Sequence, residues 1–131
     1  MKSEELAAAI ARYADDKKAQ SIVELDLRGV IDYTDYFVIC SGGSDRQVKA
    51  IADGINVGCK SELGILPRRV EGLPASQWVL MDYLDVVVHV FVAELREFYA
   101  LERLWGEAPA RELTPSPLVS PPTLAASGAA E

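Results

Sequence analysis

The chain has 131 residues, 50% of them apolar and 25% charged, which suits one globular domain with a real core. Its formal net charge is −7. That balance disfavours direct RNA or DNA binding, which gains affinity by replacing counterions with Lys and Arg, and it suits a basic protein partner. Met1 and Lys2 run straight into Ser3, Glu4 and Glu5, and the longest apolar run, Val86–Ala93, is broken by His89. No secretory signal or bilayer-length segment is therefore read, and a soluble, cytoplasmic protein is expected.

In chain order, Ser3 reads as the cap of a first helix, with Glu4 and Glu5 at its positive end, Leu6, Ile10 and Tyr13 at helical spacing, and Lys17 and Lys18 at its negative end. A strand follows at Ile22–Leu27, with Val23, Leu25 and Leu27 buried and Glu24 and Asp26 in water. Arg28–Thr34 is a connection. Tyr36–Cys40 is apolar without alternation and reads as a central strand covered on both faces. Beyond Ser41-Gly42-Gly43-Ser44, a helix capped by Ser44 or Asp45 runs to about Leu63 and stops at Gly64. Its stripe is Val48, Ile51, Ala52, Ile55, Cys59 and Leu63.

A short strand at Pro67–Glu71 completes a strand-helix-strand unit, for which a right-handed crossover and a parallel pair are expected. Trp78–Tyr83 and Val86–Val92, joined by Leu84 and Asp85, read as a tight antiparallel hairpin. A last helix is expected over Glu94–Trp105. The fold class is α/β (α+β): a single mixed sheet of about five strands with packed helices. Residues 107–131 differ in kind, holding five of the seven prolines and no aromatic residue. They are expected to be a disordered tail after a domain spanning 1–106.

Cys40 and Cys59 fall at apolar positions without C-x-x-C spacing and read as buried free thiols. His89 lies mid-strand among valines, a structural or interface position more than a catalytic one. One histidine and no clustered cysteines leave no basis for a zinc site. Ser41-Gly42-Gly43-Ser44 opens a helix, a context that can hold phosphate, yet it lacks the P-loop Lys and reads more simply as a turn plus a cap. Asp82 and Asp85 straddle a turn and form no D-x-D pair, whereas a two-metal mechanism needs carboxylates converging on ions about 4 Å apart. No catalytic residue, metal or cofactor is assigned. Trp78 fits either a core position or an interface anchor flanked by carboxylates.

The stretch DLRGVIDYTDYFVICSGGSDRQVKAIAD, the hairpin WVLMDYLDVVVHVF and the closing REFYALERLW resemble the ribosomal silencing factor, or Iojap-like, family over about residues 3–106. The resemblance implies a nucleotidyltransferase-like fold without the catalytic aspartates. It also implies binding to the large-subunit ribosomal protein numbered fourteen at the inter-subunit face, where bulk blocks joining of the small subunit and represses translation under nutrient limitation. Dimers off the ribosome are implied as well. The partner-binding residues it implies are Trp78, Val79, Leu80, Asp82, Tyr83 and Asp85. The alternatives are a large-subunit assembly factor and a divergent nucleotidyltransferase. Family members commonly carry glycine where this chain has Leu84, and a Leu there is expected to require a turn without positive φ.

Overall fold

The computed structural model describes residues 1–95 and 110–112. Helix α1 spans Ser3–Asp16. Ser3 is its first helical residue and not its cap: the backbone N–H of Lys2 donates to the Glu5 carboxylate at 3.0 Å, tying down the entry to the helix. Strands β1 (Gln20–Asp26) and β2 (Tyr36–Gly42) pair antiparallel. Helix α2 (Asp45–Gly58) starts at Ser44, whose Oγ accepts from the Gln47 N–H at 3.1 Å. It widens into a π-helical turn over Cys59–Leu63 and ends at Gly64, which is left-handed at φ 68°. The expected stripe faces inward, with Val48, Ile51, Ala52, Ile55 and Cys59 buried and Leu63 packed against them. Gly58 and Gly54 let α1 lie close: a Cβ on Gly58 would stand 2.6 Å from the Tyr13 ring.

Strands β3 (Arg69–Glu71), β4 (Trp78–Asp82), β5 (Val86–Val92) and β6 (Ala110–Glu112) complete one mixed sheet in the order β3-β4-β5-β2-β1-β6. The hairpin forms as read, with Tyr83 N–H donating to the Val86 carbonyl at 2.9 Å. The parallel partner of β2 is β5, not β3. The strand after α2 passes beyond both hairpin strands and pairs antiparallel with β4 at the sheet edge. Two apolar strands, β4 and β5, thereby take the interior places, and the short, exposed Arg69–Glu71 takes the edge.

Both sheet faces are covered, so β2 is buried along its whole length, as its unbroken apolar run requires. One core joins α1 and α2 to Val38, Cys40, Val79, Met81, Val88 and Val90. The second, on the opposite face, gathers Val23, Leu25, Phe37, Ile39, Val87 and Phe91, with Trp78, Leu80 and Leu95 packed against it. Both cysteines are buried and free.

Two expectations are corrected at the other edge. Glu24, expected to face water, is buried, because β6 pairs outside β1 at Glu24↔Arg111 and makes β1 an interior strand. Ala110–Glu112 fall within the stretch read as a disordered tail, yet they form this strand. An edge left as open as β1 would be a template for pairing with other chains, and β6 covers it. Residues 93–95 begin a helix where one is expected; the rest of Glu94–Trp105, and the remaining residues of 107–131, lie outside the described residues. Among the described residues, no helix is long and apolar enough to cross a membrane.

Candidate functional site

Alternation along β4 divides the residues read as partner-binding into two sets. Trp78, Leu80 and Asp82 share the face opposite the helices, and Val79 and Met81 the helix-side face. Val79 and Tyr83 lie in the core beneath the helices, so neither presents a surface to a partner. Burial, then the neighbouring Cys59, pushes the Tyr83 phenol far above its ordinary range.

Trp78 is half-buried. Its indole stacks on Phe91 with centroids 4.9 Å apart, and its Nε1–H donates to His89 Nδ1 at 3.1 Å. His89 itself is buried, its ring edge-on to Phe37 at 4.6 Å, and burial alone lowers its pKa to about 4. It is therefore a neutral imidazole, and because Nδ1 accepts, its proton sits on Nε2. Leu80, also half-buried, lies between Glu71 on β3 and His89 on β5.

The loop before Trp78 is built around Gly72, at φ 101°. Ser76 N–H donates to the Gly72 carbonyl at 2.8 Å, and Val92 N–H to the Gln77 carbonyl at 2.9 Å, locking the loop against β5. A Cβ on Gly72 would overlap the Trp78 carbonyl oxygen. Only glycine lets the chain pass so close beneath the anchor residue.

At the other end of β4, Asp82 is a buried clamp. Its Oδ2 pairs with Arg68 at 3.3 Å, and its Oδ1 accepts the Leu84 N–H at 2.8 Å. The carboxylate is engaged within the chain. Asp85 is exposed, and its carbonyl accepts the N–H groups of Asp35 and Tyr36 at 2.9 and 3.1 Å, binding the turn to the start of β2.

The turn itself corrects the expectation for Leu84. This residue does adopt positive φ, 78°, and the Asp85 N–H donates to the Tyr83 carbonyl at 3.0 Å. That is a γ-turn of the strained, positive-φ kind. The Asp82 carboxylate holds it by accepting the Leu84 amide. Since the Leu84 side chain is half-exposed, Leu84→Gly removes a penalty of about 1–2 kcal/mol and adds about 0.5–1 kcal/mol of unfolded-state entropy. The expected net gain is about 0.5–1 kcal/mol, read as a higher urea midpoint at unchanged m-value; a lower midpoint would contradict the turn geometry.

The other candidate sites are filled by the chain itself. At the Ser41–Ser44 turn, the Gly43 N–H donates to Gln47 Oε1 at 2.7 Å, and Gln47 Nε2 reaches back to the Lys18 carbonyl at 3.0 Å. The amides that would hold a phosphate are thus used as a helix cap and a tie to α1. No group of three or more His, Cys, Asp or Glu able to hold a metal ion occurs among the described residues. What remains is the partly exposed Trp78; Leu66, Leu73 and Leu84 are exposed apolar residues on the segments bordering β4, and Val70, opposite Met81, is exposed on the other face of the sheet. The two-residue period of a strand separates 78 and 80 from 79; His89 holds the structural or interface position expected of it, and its contact with Trp78 is not legible in the sequence because it depends on hairpin register.

A family model described as ribosomal silencing factor during starvation matches residues 1–130. The chain is 44% identical over 113 residues to ribosomal silencing factor RsfS of Halalkalibacterium halodurans, covering 86% of this chain and 96% of that one. It is 48% identical over 103 residues to RsfS of Bacillus subtilis, covering 79% and 86% of the two chains. A solved structure of a protein from Chromobacterium violaceum superposes with a TM-score of 0.78 at 36% identity, covering 81% of this chain and 88% of the other. On sequence and fold together, the chain belongs to the ribosomal silencing factor family.

Proposed function

We propose that the protein is a translational repressor without catalytic activity, acting in the cytoplasm. In this reading it docks on the large ribosomal subunit through a basic ribosomal protein, the one numbered fourteen, and its bulk keeps the small subunit from joining when nutrients are scarce. The observation that carries the reading is the presentation of Trp78: a large, partly exposed indole in contact with Phe91 and His89. Rigid aromatic anchors of this kind dominate protein interfaces, because little side-chain entropy remains to be lost on binding. Leu80 extends the apolar contact and Asp85 supplies an exposed carboxylate for a Lys or Arg of the partner. Asp82 acts one step behind, by shaping the turn. The net charge of −7 favours a basic partner and leaves phosphate backbones disfavoured. Off the ribosome, a homodimer belongs to the same reading.

Sucrose gradients of mixed subunits test it. Added protein is expected to move ribosomes from the joined form to free subunits, and Trp78→Ala to weaken large-subunit binding by about 2 kcal/mol, roughly 30-fold. Unchanged affinity in that variant would remove Trp78 from the surface. Abnormal large-subunit precursors on deletion, with joining unaffected by added protein, would favour an assembly role instead.

A further inference from the structure

His89 is an odd occupant of its place. β5 is otherwise Val86, Val87, Val88, Val90, Phe91 and Val92, and the His89 side chain lies in an apolar layer against Phe37. One ring nitrogen is satisfied by Trp78; the other, Nε2, is buried without a hydrogen-bond partner among the described residues. With Nδ1 accepting, Nε2 must carry the proton, so a buried N–H donor goes unused. Native interiors rarely leave such a group, since desolvating it costs free energy that an apolar side chain would not. A phenylalanine would fill the layer without that loss. The imidazole differs from it in one respect at this position: a lone pair aimed at the indole N–H.

We infer that His89 is a positioning residue for docking: its Nδ1 fixes the orientation in which Trp78 is presented to the partner. The role rests on the docking reading given above. Stacking on Phe91 sets the plane of the indole. The Nε1–H···Nδ1 bond at 3.1 Å adds a directional tie that a stack does not supply. A partner surface then meets an indole already in its bound orientation, and the order is not imposed at the moment of binding.

The test separates orientation from folding. His89→Phe is expected to unfold at an equal or higher urea concentration than wild type, yet to bind large subunits about tenfold more weakly. His89→Asn, whose Oδ1 can stand where Nδ1 stands, is expected to recover most of that affinity despite a lower stability. A residue with only a structural role would move stability and affinity together. A direct reading on wild-type protein is the nitrogen–nitrogen coupling across the Trp78 Nε1–H···Nδ1 His89 bond in an isotope-labelled sample, with the indole signal assigned by Trp78→Phe. Absence of that coupling, or His89→Phe binding as tightly as wild type, overturns the role. Wild-type protein that fails to bind large subunits overturns the docking reading, and this role with it.

Discussion

Gly72→Ala is expected to lower the unfolding free energy by about 3–5 kcal/mol, the sum of a backbone overlap and a positive-φ penalty. The added methyl would collide with the Trp78 carbonyl oxygen and stand 2.9 Å from its carbonyl carbon and 3.0 Å from Val79 Cα. These are backbone atoms of β4, which pairs antiparallel with β5 with Trp78 opposite Phe91 and the neighbouring Val92 N–H bonded to the Gln77 carbonyl, and β4 cannot retreat without breaking that register. The loop must move instead, and its φ of 101° at Gly72 is one an alanine rarely adopts. Gly29→Ala is the control: Gly29 has φ 82° but nothing within 4 Å of a new Cβ, so only the conformational penalty of about 1–2 kcal/mol applies. Urea unfolding of the two variants therefore isolates the steric component. If Gly72→Ala fell no further than Gly29→Ala, the close approach beneath Trp78 would not exist in solution. Residual folded Gly72→Ala protein is also expected to dock poorly, since displacing the loop displaces the indole.

The second large effect is on acid stability. Burial lowers the His89 pKa from 6.5 to about 4, so between those values the unfolded chain binds a proton that the folded chain does not. Stability contributed by the neutral imidazole is intact above about pH 6.5 and is lost as the pH falls toward 4. The loss by pH 4 is about 3 kcal/mol. Below that, both states are protonated and the slope from this group vanishes. Protonation also places an N–H on Nδ1, facing the indole N–H, so the Trp78 contact goes with it. The measurement is the difference in unfolding free energy between wild type and His89→Phe across pH 7 to 4, which cancels the common titration of the surface carboxylates. Wild type should lose ground to the variant throughout that range. A flat difference would mean that the imidazole is hydrated in the native state.

Asp26 works in the same direction at lower pH. Its bidentate partner Arg28, at 2.9 and 2.7 Å, holds the carboxyl below its usual range, so its contribution is present above the ordinary aspartate value near 3.8 and fades as acid protonates it. The pair is largely exposed on the arginine side, which keeps its worth small.

What the sequence made legible follows the range of the interactions. The apolar run Tyr36–Cys40, the stripe from Val48 to Cys59 and the two-residue hairpin turn are local patterns, and each appears in the structure where the pattern put it. Pairing partners are not local. Nothing within Pro67–Glu71 says that it skips two strands to reach the edge, or that Ala110–Glu112 return to cover β1 among prolines and alanines. The burial of Glu24 depended on that second pairing and was unreadable without it. In the candidate site, strand alternation was sufficient to place Trp78 and Leu80 together and to withhold Val79; grouping all of them with the surface ignored a signal already present. Leu84 shows the opposite case. A residue type argued against positive φ, and a neighbouring side chain, Asp82, overrode it by bonding the turn's own amide.

Sedimentation of wild-type protein with purified large and small subunits, separately and at low ionic strength, tests the docking account most directly. The account requires saturable binding to the large particle alone, weakening as salt screens the acidic surface, with Trp78→Ala left behind in the supernatant. Protein that stays unbound under those conditions, or that binds both particles alike, would contradict it.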